Sequence, residues 1–109
     1  MGNIYIVWTK DKTASDGMGE PSTSNARYVG KTINTSQTRI AQHVAAAEGK
    51  PASRSLFEQK MASVGADNYA WRTLESDVPE SKLASREKYY IALYQTHTTQ
   101  GGYNETWGG

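Results

Sequence analysis

The sequence predicts an α+β fold, in which a small, mostly antiparallel sheet of three strands is flanked by three or more helices. Three observations indicate this fold. Short runs alternate between apolar and polar residues, longer runs repeat apolar residues at helical spacing, and the order is strand, strand, helix, helix, strand, helix. The chain has 109 residues, which fits one compact domain over residues 1–109.

Strands are predicted at residues 3–8, 26–30 and 69–74. The first strand presents two sets of side chains to opposite faces, Ile4, Ile6 and Trp8 against Tyr5 and Val7. The polar stretch at residues 10–25 predicts a long, mobile loop, and the second strand is expected to stop at Gly30. A hairpin across that loop is the economical pairing of the first two strands.

Helices are predicted where apolar residues recur every three or four positions. Thr35 or Ser36 is the expected N-cap of the first helix, which ends at residues 49–51. Ser53 or Ser55 caps the second helix, which stops at a glycine. The last helix follows a proline, and its apolar stripe consists of Leu83, Tyr90, Ile91 and Tyr94.

Residue types that build many active sites are scarce in this chain. Cysteine is absent, and His43 and His97 are the only histidines. Disulfides, zinc fingers and thiol nucleophiles are therefore excluded. A catalytic metal would be a hard ion held by oxygen, Mg²⁺ or Mn²⁺. No apolar run is long enough for a membrane span and no targeting pattern opens the chain, so a soluble, intracellular protein is expected.

Charge is unevenly distributed, although the net charge is only +1. Residues 25–60 carry six cations against two carboxylates, whereas residues 67–80 carry four carboxylates against one arginine. A basic middle could meet a phosphate backbone. On charge alone, an ordinary solvated surface is the better interpretation.

Glu87 breaks the pattern of the last helix, because it falls in the middle of the apolar stripe. A lone carboxylate there is costly, and three arrangements would relieve the cost. It could pair with an arginine, take up a proton, or ligate a metal. The candidate arginine partners are Arg27, Arg39 and Arg72.

Two further pairs are candidates for chemistry. Arg39 and His43 lie four residues apart, hence on one helical face, where an arginine can hold a phosphate and a histidine can move a proton. Tyr5 and Tyr28 lie on the strands that the predicted hairpin pairs. From the residues alone, ordinary packing and solvation are the better interpretation of both pairs.

Six short motifs follow one another along nearly the whole chain. They are residues 3–5 within 2–7, residues 28–32, Arg39 with His43, residues 55–69, residues 86–91, and residues 102–104. In this order they resemble the GIY-YIG nuclease family. Two departures stand out, since Asn3 replaces the glycine of the first motif and the loop at residues 10–25 is longer than the family usually shows.

The resemblance implies a site and a mechanism. Glu87 would ligate a single Mg²⁺ or Mn²⁺ that holds a phosphate oxygen and the leaving 3′ oxygen. Arg39 would stabilise the pentavalent phosphorane. Tyr5 or Tyr28 would take the proton of an attacking water, with His43 or Lys31 as a relay, because a phenol is a poor base at neutral pH. The wall of the site would be closed by Asn104, and the DNA contacts would be Lys31, Arg27 and Arg54.

Within that family, the closing residues 101–109 look most like phage and intron-encoded members, which implies a homing-endonuclease-like catalytic domain. Such a domain would act on DNA in the cytoplasm of a bacterium or a phage-infected host, with no membrane or small-molecule cofactor. A DNA-binding module would then be missing from this chain. The alternatives are a free-standing restriction, repair or single-strand-specific nuclease and, from another class, an inactive nucleic-acid-binding module.

Overall fold

The computed structural model describes residues 1–48 and 55–108. Its sheet has three strands in the order β2-β1-β3, with both neighbours antiparallel to β1. The strands are β1 (Gly2–Thr9), β2 (Ala26–Thr32) and β3 (Tyr69–Val78). The helices are α1 (Ser36–Ala47), α2 (Leu56–Val64) and α3 (Glu80–Tyr94), with short 3₁₀ turns at Ala66–Asn68 and Thr98–Gln100. The predicted α+β fold is confirmed.

The sheet is the middle of three layers, and β1 is buried on both faces. Its residues Ile4, Ile6 and Trp8 pack in one cluster with Leu83 and Ile91 of α3. On the other face, Tyr5 and Val7 pack in a second cluster, whose other buried members include Ala47, Phe57 and Met61 of α1 and α2. The strand alternation therefore places alternate residues of β1 in two different cores, as the sequence predicts.

Side-chain caps begin both helices, α1 and α2, on the sheet face that carries Tyr5 and Val7. Thr35 is the N-cap of α1, and its side chain accepts a hydrogen bond from Thr38 N. Ser55 is the N-cap of α2 and forms a capping box with Glu58. The alternative cap Ser53, and the predicted end of the first helix at residues 49–51, lie outside the described residues.

Two strands run further than the sequence indicated. β2 continues past Gly30 to Thr32, because the pairing with β1 extends to Asn3. Gly30 lies opposite Tyr5, and a Cβ at this position would overlap the Tyr5 ring. This glycine therefore allows a close approach and does not end the strand. β3 likewise continues to Val78, which pairs with Gly2.

The loop at residues 10–25, predicted to be mobile, carries turn hydrogen bonds. Asp11 N donates to Met18 O at 2.9 Å, and Trp8 Nε1 donates to the same carbonyl at 3.0 Å. Glu20 pairs with Arg72 of β3 at 2.6 Å. The loop is thus bonded to two strands of the sheet. Among the described residues, none of the helices combines the length and apolar character that crossing a bilayer requires.

Candidate active site

Two tyrosines lie side by side on the sheet face that α1 and α2 cover. In the β1–β2 register, Tyr5 pairs with Gly30 and Val7 pairs with Tyr28, so the two tyrosines are diagonal neighbours. Their ring centroids are 6.2 Å apart, and the Tyr28 ring stacks on Phe57 at 4.2 Å. The two tyrosines thus lie on one face of the sheet, as alternation predicts.

His43 of α1 connects Tyr5 to a carboxylate. The Tyr5 hydroxyl lies 2.9 Å from His43 Nε2, and His43 Nδ1 lies 2.8 Å from Glu58 Oε2. His43 is only 2% exposed, and Tyr5 is as deeply buried. Three ionisable groups from β1, α1 and α2 therefore form one buried hydrogen-bonded chain.

Burial keeps these groups neutral, apart from the carboxylate. It raises the pKa of the Tyr5 hydroxyl far above its usual value; neighbouring Tyr28 and Glu87 raise it further, and Arg39 acts in the opposite direction. Burial also raises the pKa of Tyr28. It lowers the pKa of His43, outweighing the opposite effect of Glu58. At neutral pH, His43 is therefore an uncharged imidazole beside an un-ionised phenol.

Arg39 lies one turn before His43 on α1 and remains partly exposed. Its Nη1 donates to Gln42 Oε1 at 3.3 Å, a contact on its own helix. The charges of Arg39 and Glu87 both act on the two tyrosines. An arginine from one helical layer and a glutamate from the other thus converge electrostatically on the tyrosine pair.

Glu87 of α3 is largely buried and pairs with Lys31 of β2. The Lys31 Nζ to Glu87 Oε1 distance is 3.3 Å, and the two side chains are 34% and 12% exposed. The sequence suggested an arginine as the structural partner, with Arg72 among the candidates. Arg72 instead pairs with Glu20. Lys31 pairs with Ile4 in the sheet, so its side chain lies on the face that α3 covers. This position explains why Glu87 pairs with a lysine of β2 and not with an arginine.

Asn104 binds the outer edge of β2 with both ends of its amide. Its Oδ1 accepts hydrogen bonds from Val29 N at 2.9 Å and Thr96 Oγ1 at 2.7 Å, and its Nδ2 donates to Val29 O at 2.9 Å. Tyr103 N adds a bond to Arg27 O at 2.6 Å. The side chain thereby replaces a missing strand partner and holds the backbone between the second tyrosine and its glycine.

Two of the three residues predicted to bind DNA, Lys31 and Arg27, lie on β2 and have different partners. Lys31 lies beside Glu87, whereas Arg27, near the other end of β2, donates to the Thr9 hydroxyl at 3.2 Å. Arg54 lies outside the described residues. Among the described residues, no group of three or more histidines, aspartates or glutamates is placed to hold a metal. Glu87 could supply one carboxylate to a hard ion, and Mg²⁺ commonly takes one or two carboxylates and completes its shell with water and phosphate.

Glu58 and Thr96 are the site residues that sequence reasoning missed. The pattern of Ser55 followed three residues later by a glutamate is the sequence form of a capping box, and it precedes an apolar run. That signal explains one carboxylate oxygen of Glu58. Nothing in the sequence indicates that the other oxygen meets a histidine from a different helix.

Comparison with known proteins identifies the family. A family model described as the GIY-YIG catalytic domain matches residues 1–104. No curated protein and no solved structure matches the chain significantly. The match spans both tyrosines, the α1 arginine and histidine, the α3 glutamate and the final asparagine. On this match and this fold, the chain belongs to the GIY-YIG catalytic domain family and is a nuclease domain.

Proposed function

We propose that this domain is a DNA endonuclease that hydrolyses phosphodiester bonds with a water nucleophile, and that Tyr5 receives the proton of that water. The observation that supports this proposal is the buried hydrogen bond between the Tyr5 hydroxyl and His43 Nε2. A phenol with a raised pKa cannot act as a base while it keeps its proton. His43 provides the acceptor for that proton.

The proton path has two linked transfers. The attacking water gives a proton to the Tyr5 oxygen, and the phenolic proton passes to the lone pair of His43 Nε2. Tyr5 ends the step neutral and His43 ends it charged, so the proton is accounted for at each atom. The lowered pKa of His43 keeps it in the neutral, accepting form at neutral pH.

Arg39 would stabilise the negative charge that develops on the phosphate oxygens. It lies on the same helix as His43, it acts electrostatically on both tyrosines, and it remains accessible to a ligand. A fixed cation directed at developing charge is among the largest contributions to catalysis of phosphoryl chemistry. Lys31 and Arg27 would contact the DNA backbone.

Glu87 would hold one Mg²⁺ or Mn²⁺. Its carboxylate fits a hard ion, since its charge acts on both Tyr5 and Tyr28 and its side chain is largely shielded from solvent. When bound, the ion would polarise the phosphate and stabilise the leaving oxygen. Asn104 would act as a positioning residue, because its amide is bonded to Val29 and Thr96.

The test is cleavage of supercoiled plasmid and of single-stranded DNA with Mg²⁺, with Mn²⁺ and with EDTA. We expect plasmid cleavage that EDTA stops, and we expect Glu87→Gln to abolish it while the circular dichroism spectrum stays unchanged. Glu75→Gln is the matched control, since Glu75 is also a glutamate beside α3 but bonds to Arg86 and Tyr90, which are outside the proposed site. Full activity of Glu87→Gln, or in EDTA, would contradict the metal assignment.

Within this activity, we propose a homing-endonuclease-like module with little sequence selectivity of its own. The different partners of Lys31 and Arg27 support this, because Lys31 pairs with Glu87 while Arg27 donates to the Thr9 hydroxyl near the other end of β2. A specific partner module would then direct cleavage. Selective cleavage of one plasmid site by the domain alone would favour a free-standing restriction or repair nuclease.

A further inference from the structure

Glu58 uses its two carboxylate oxygens for two different tasks. Oε1 accepts a hydrogen bond from Ser55 N at 3.0 Å and completes the cap of α2. Oε2 lies 2.8 Å from His43 Nδ1. The side chain is largely buried between α1 and α2. One carboxylate therefore belongs both to a helix terminus and to the buried chain that ends at Tyr5.

We propose that Glu58 is a positioning residue that fixes the tautomer and orientation of His43, a role that rests on the proposed proton path from Tyr5. An ionised carboxylate can only accept hydrogen bonds, so the proton between Glu58 and His43 must sit on Nδ1. Nε2 then presents a lone pair to the Tyr5 hydroxyl. With the other tautomer, Nε2 would donate and could not accept the phenolic proton.

Glu58 is ionised at neutral pH. Burial acts to raise the pKa of its carboxyl, but the Ser55 amide and His43 donate to the carboxylate, and the pKa lies below its usual value. When His43 becomes charged during the reaction, this carboxylate is its nearest counter-charge. The other groups that face His43 do not help, since Arg39 lowers its pKa and Tyr5 and Tyr28 are neutral phenols.

The arrangement links the folding of α2 to the chemistry of α1. The capping box places Glu58 in the first turn of α2, and Phe57 packs its ring on His43 at 4.8 Å and on Tyr28 at 4.2 Å. Phe57 therefore packs against the His43 imidazole, and Glu58 forms a charged hydrogen bond with it. Loss of the carboxylate should leave the ring packed but free to change tautomer.

The test compares Glu58→Gln with Ser55→Ala. Ser55→Ala removes the hydroxyl that accepts from Glu58 N, yet it leaves the carboxylate and His43 in place. We expect Glu58→Gln to lower kcat by about 10²-fold, at the lower end of what proton transfer contributes, with KM for plasmid DNA unchanged. Its kcat/KM should also keep its value to lower pH, because Glu58 raises the pKa of His43. Ser55→Ala should lower Tm and keep the wild-type kcat and pH profile.

A second readout does not depend on activity. Nitrogen-15 NMR of the two imidazoles in the wild-type protein should show His43 protonated at Nδ1 and bare at Nε2, and Glu58→Gln should shift that balance. A wild-type His43 protonated at Nε2 would overturn the proposal, as would wild-type kcat and pH profile in Glu58→Gln. If the wild-type protein cleaves no DNA at all, the proposed function fails, while the NMR result still decides the role of Glu58.

Discussion

Arg39 is the residue whose replacement best distinguishes catalysis from DNA binding in the proposed mechanism. It precedes His43 by one turn, and its guanidinium contacts Gln42 while staying accessible to solvent. Its charge acts on both tyrosines, and the proposed mechanism assigns to it the charge that develops on a bound phosphate. If Arg39 contacts only the transition state, removing its side chain should lower kcat. If it contacts ground-state DNA, removing it should weaken binding.

We expect Arg39→Ala to lower kcat by about 10²-fold to 10³-fold, the usual effect of losing a key electrostatic donor. DNA binding should weaken only slightly. Single-turnover cleavage and fluorescence anisotropy measure the two effects separately. Arg72→Ala is the control, because that arginine pairs with Glu20 on the loop. An equal loss of binding and turnover would make Arg39 a positioning contact.

At the level of single residues, the sequence indicated those that violate a local pattern. Glu87 interrupts an apolar stripe, and Tyr5 alternates with core residues, so both could be singled out. Glu58 could not be, because a glutamate three residues after a serine is fully explained as a helix cap. Its contact with His43 depends on how α1 packs on α2, and sequence spacing carries no information on that packing.

The elements themselves were largely predictable, whereas their lengths were not. Serine and threonine caps set the starts of α1 and α2, and alternation assigned each side chain of β1 to its face. The ends of β2 and β3 depend instead on how far each strand keeps a pairing partner on β1. Glycine at position 30 suggested a stop, yet it serves the close approach of the Tyr5 ring.

The Asn104 side chain closes the edge of β2, so replacing it should lower the stability of the fold. Asn104→Ala would remove the partner of three buried polar groups, which are Val29 N, Val29 O and the Thr96 hydroxyl. We expect a loss of about 2–4 kcal/mol in the free energy of unfolding, since each unsatisfied buried group costs roughly 1–3 kcal/mol and water can partly compensate. Urea denaturation measures it.

Asn68→Ala is the comparison for that experiment. Asn68 also donates a side-chain hydrogen bond to a backbone carbonyl, that of Val64, but the bond is exposed to solvent. Its removal should cost well under half as much, because water replaces the lost partner. Equal losses for the two variants would show that the β2 edge is not sealed by Asn104.

Across the whole molecule, the sheet separates the two charges that the proposed mechanism uses. The charge of Arg39 acts on Tyr5 and Tyr28 from the layer of α1 and α2, and the charge of Glu87 acts on them from α3. The narrow edge strand β2 lies between the two layers and carries Tyr28 and Lys31. In the proposed mechanism, a phosphate that contacts both charges would approach along this edge.

The net charge of only +1 predicts weak, unselective DNA binding by the domain alone. Phosphate contacts should dominate, so the affinity should fall steeply with added salt, as log Kd against log salt concentration shows. Anisotropy titrations with unrelated duplexes of equal length provide the check. A nanomolar, salt-insensitive complex with one sequence would contradict this and would indicate the loop at residues 10–25 as a recognition element.

The hydrogen bonds from the Asn104 amide to the edge of β2 also have a consequence for synthesis of the protein on the ribosome. Tyr103 and Asn104, which bond to Arg27 and Val29, are translated after every other residue of the proposed site. A nascent chain that already contains both tyrosines, His43 and Glu87 still has an open β2 edge. We expect such a chain to be unable to cut DNA, so that nuclease activity begins only after nearly all of the described chain has emerged.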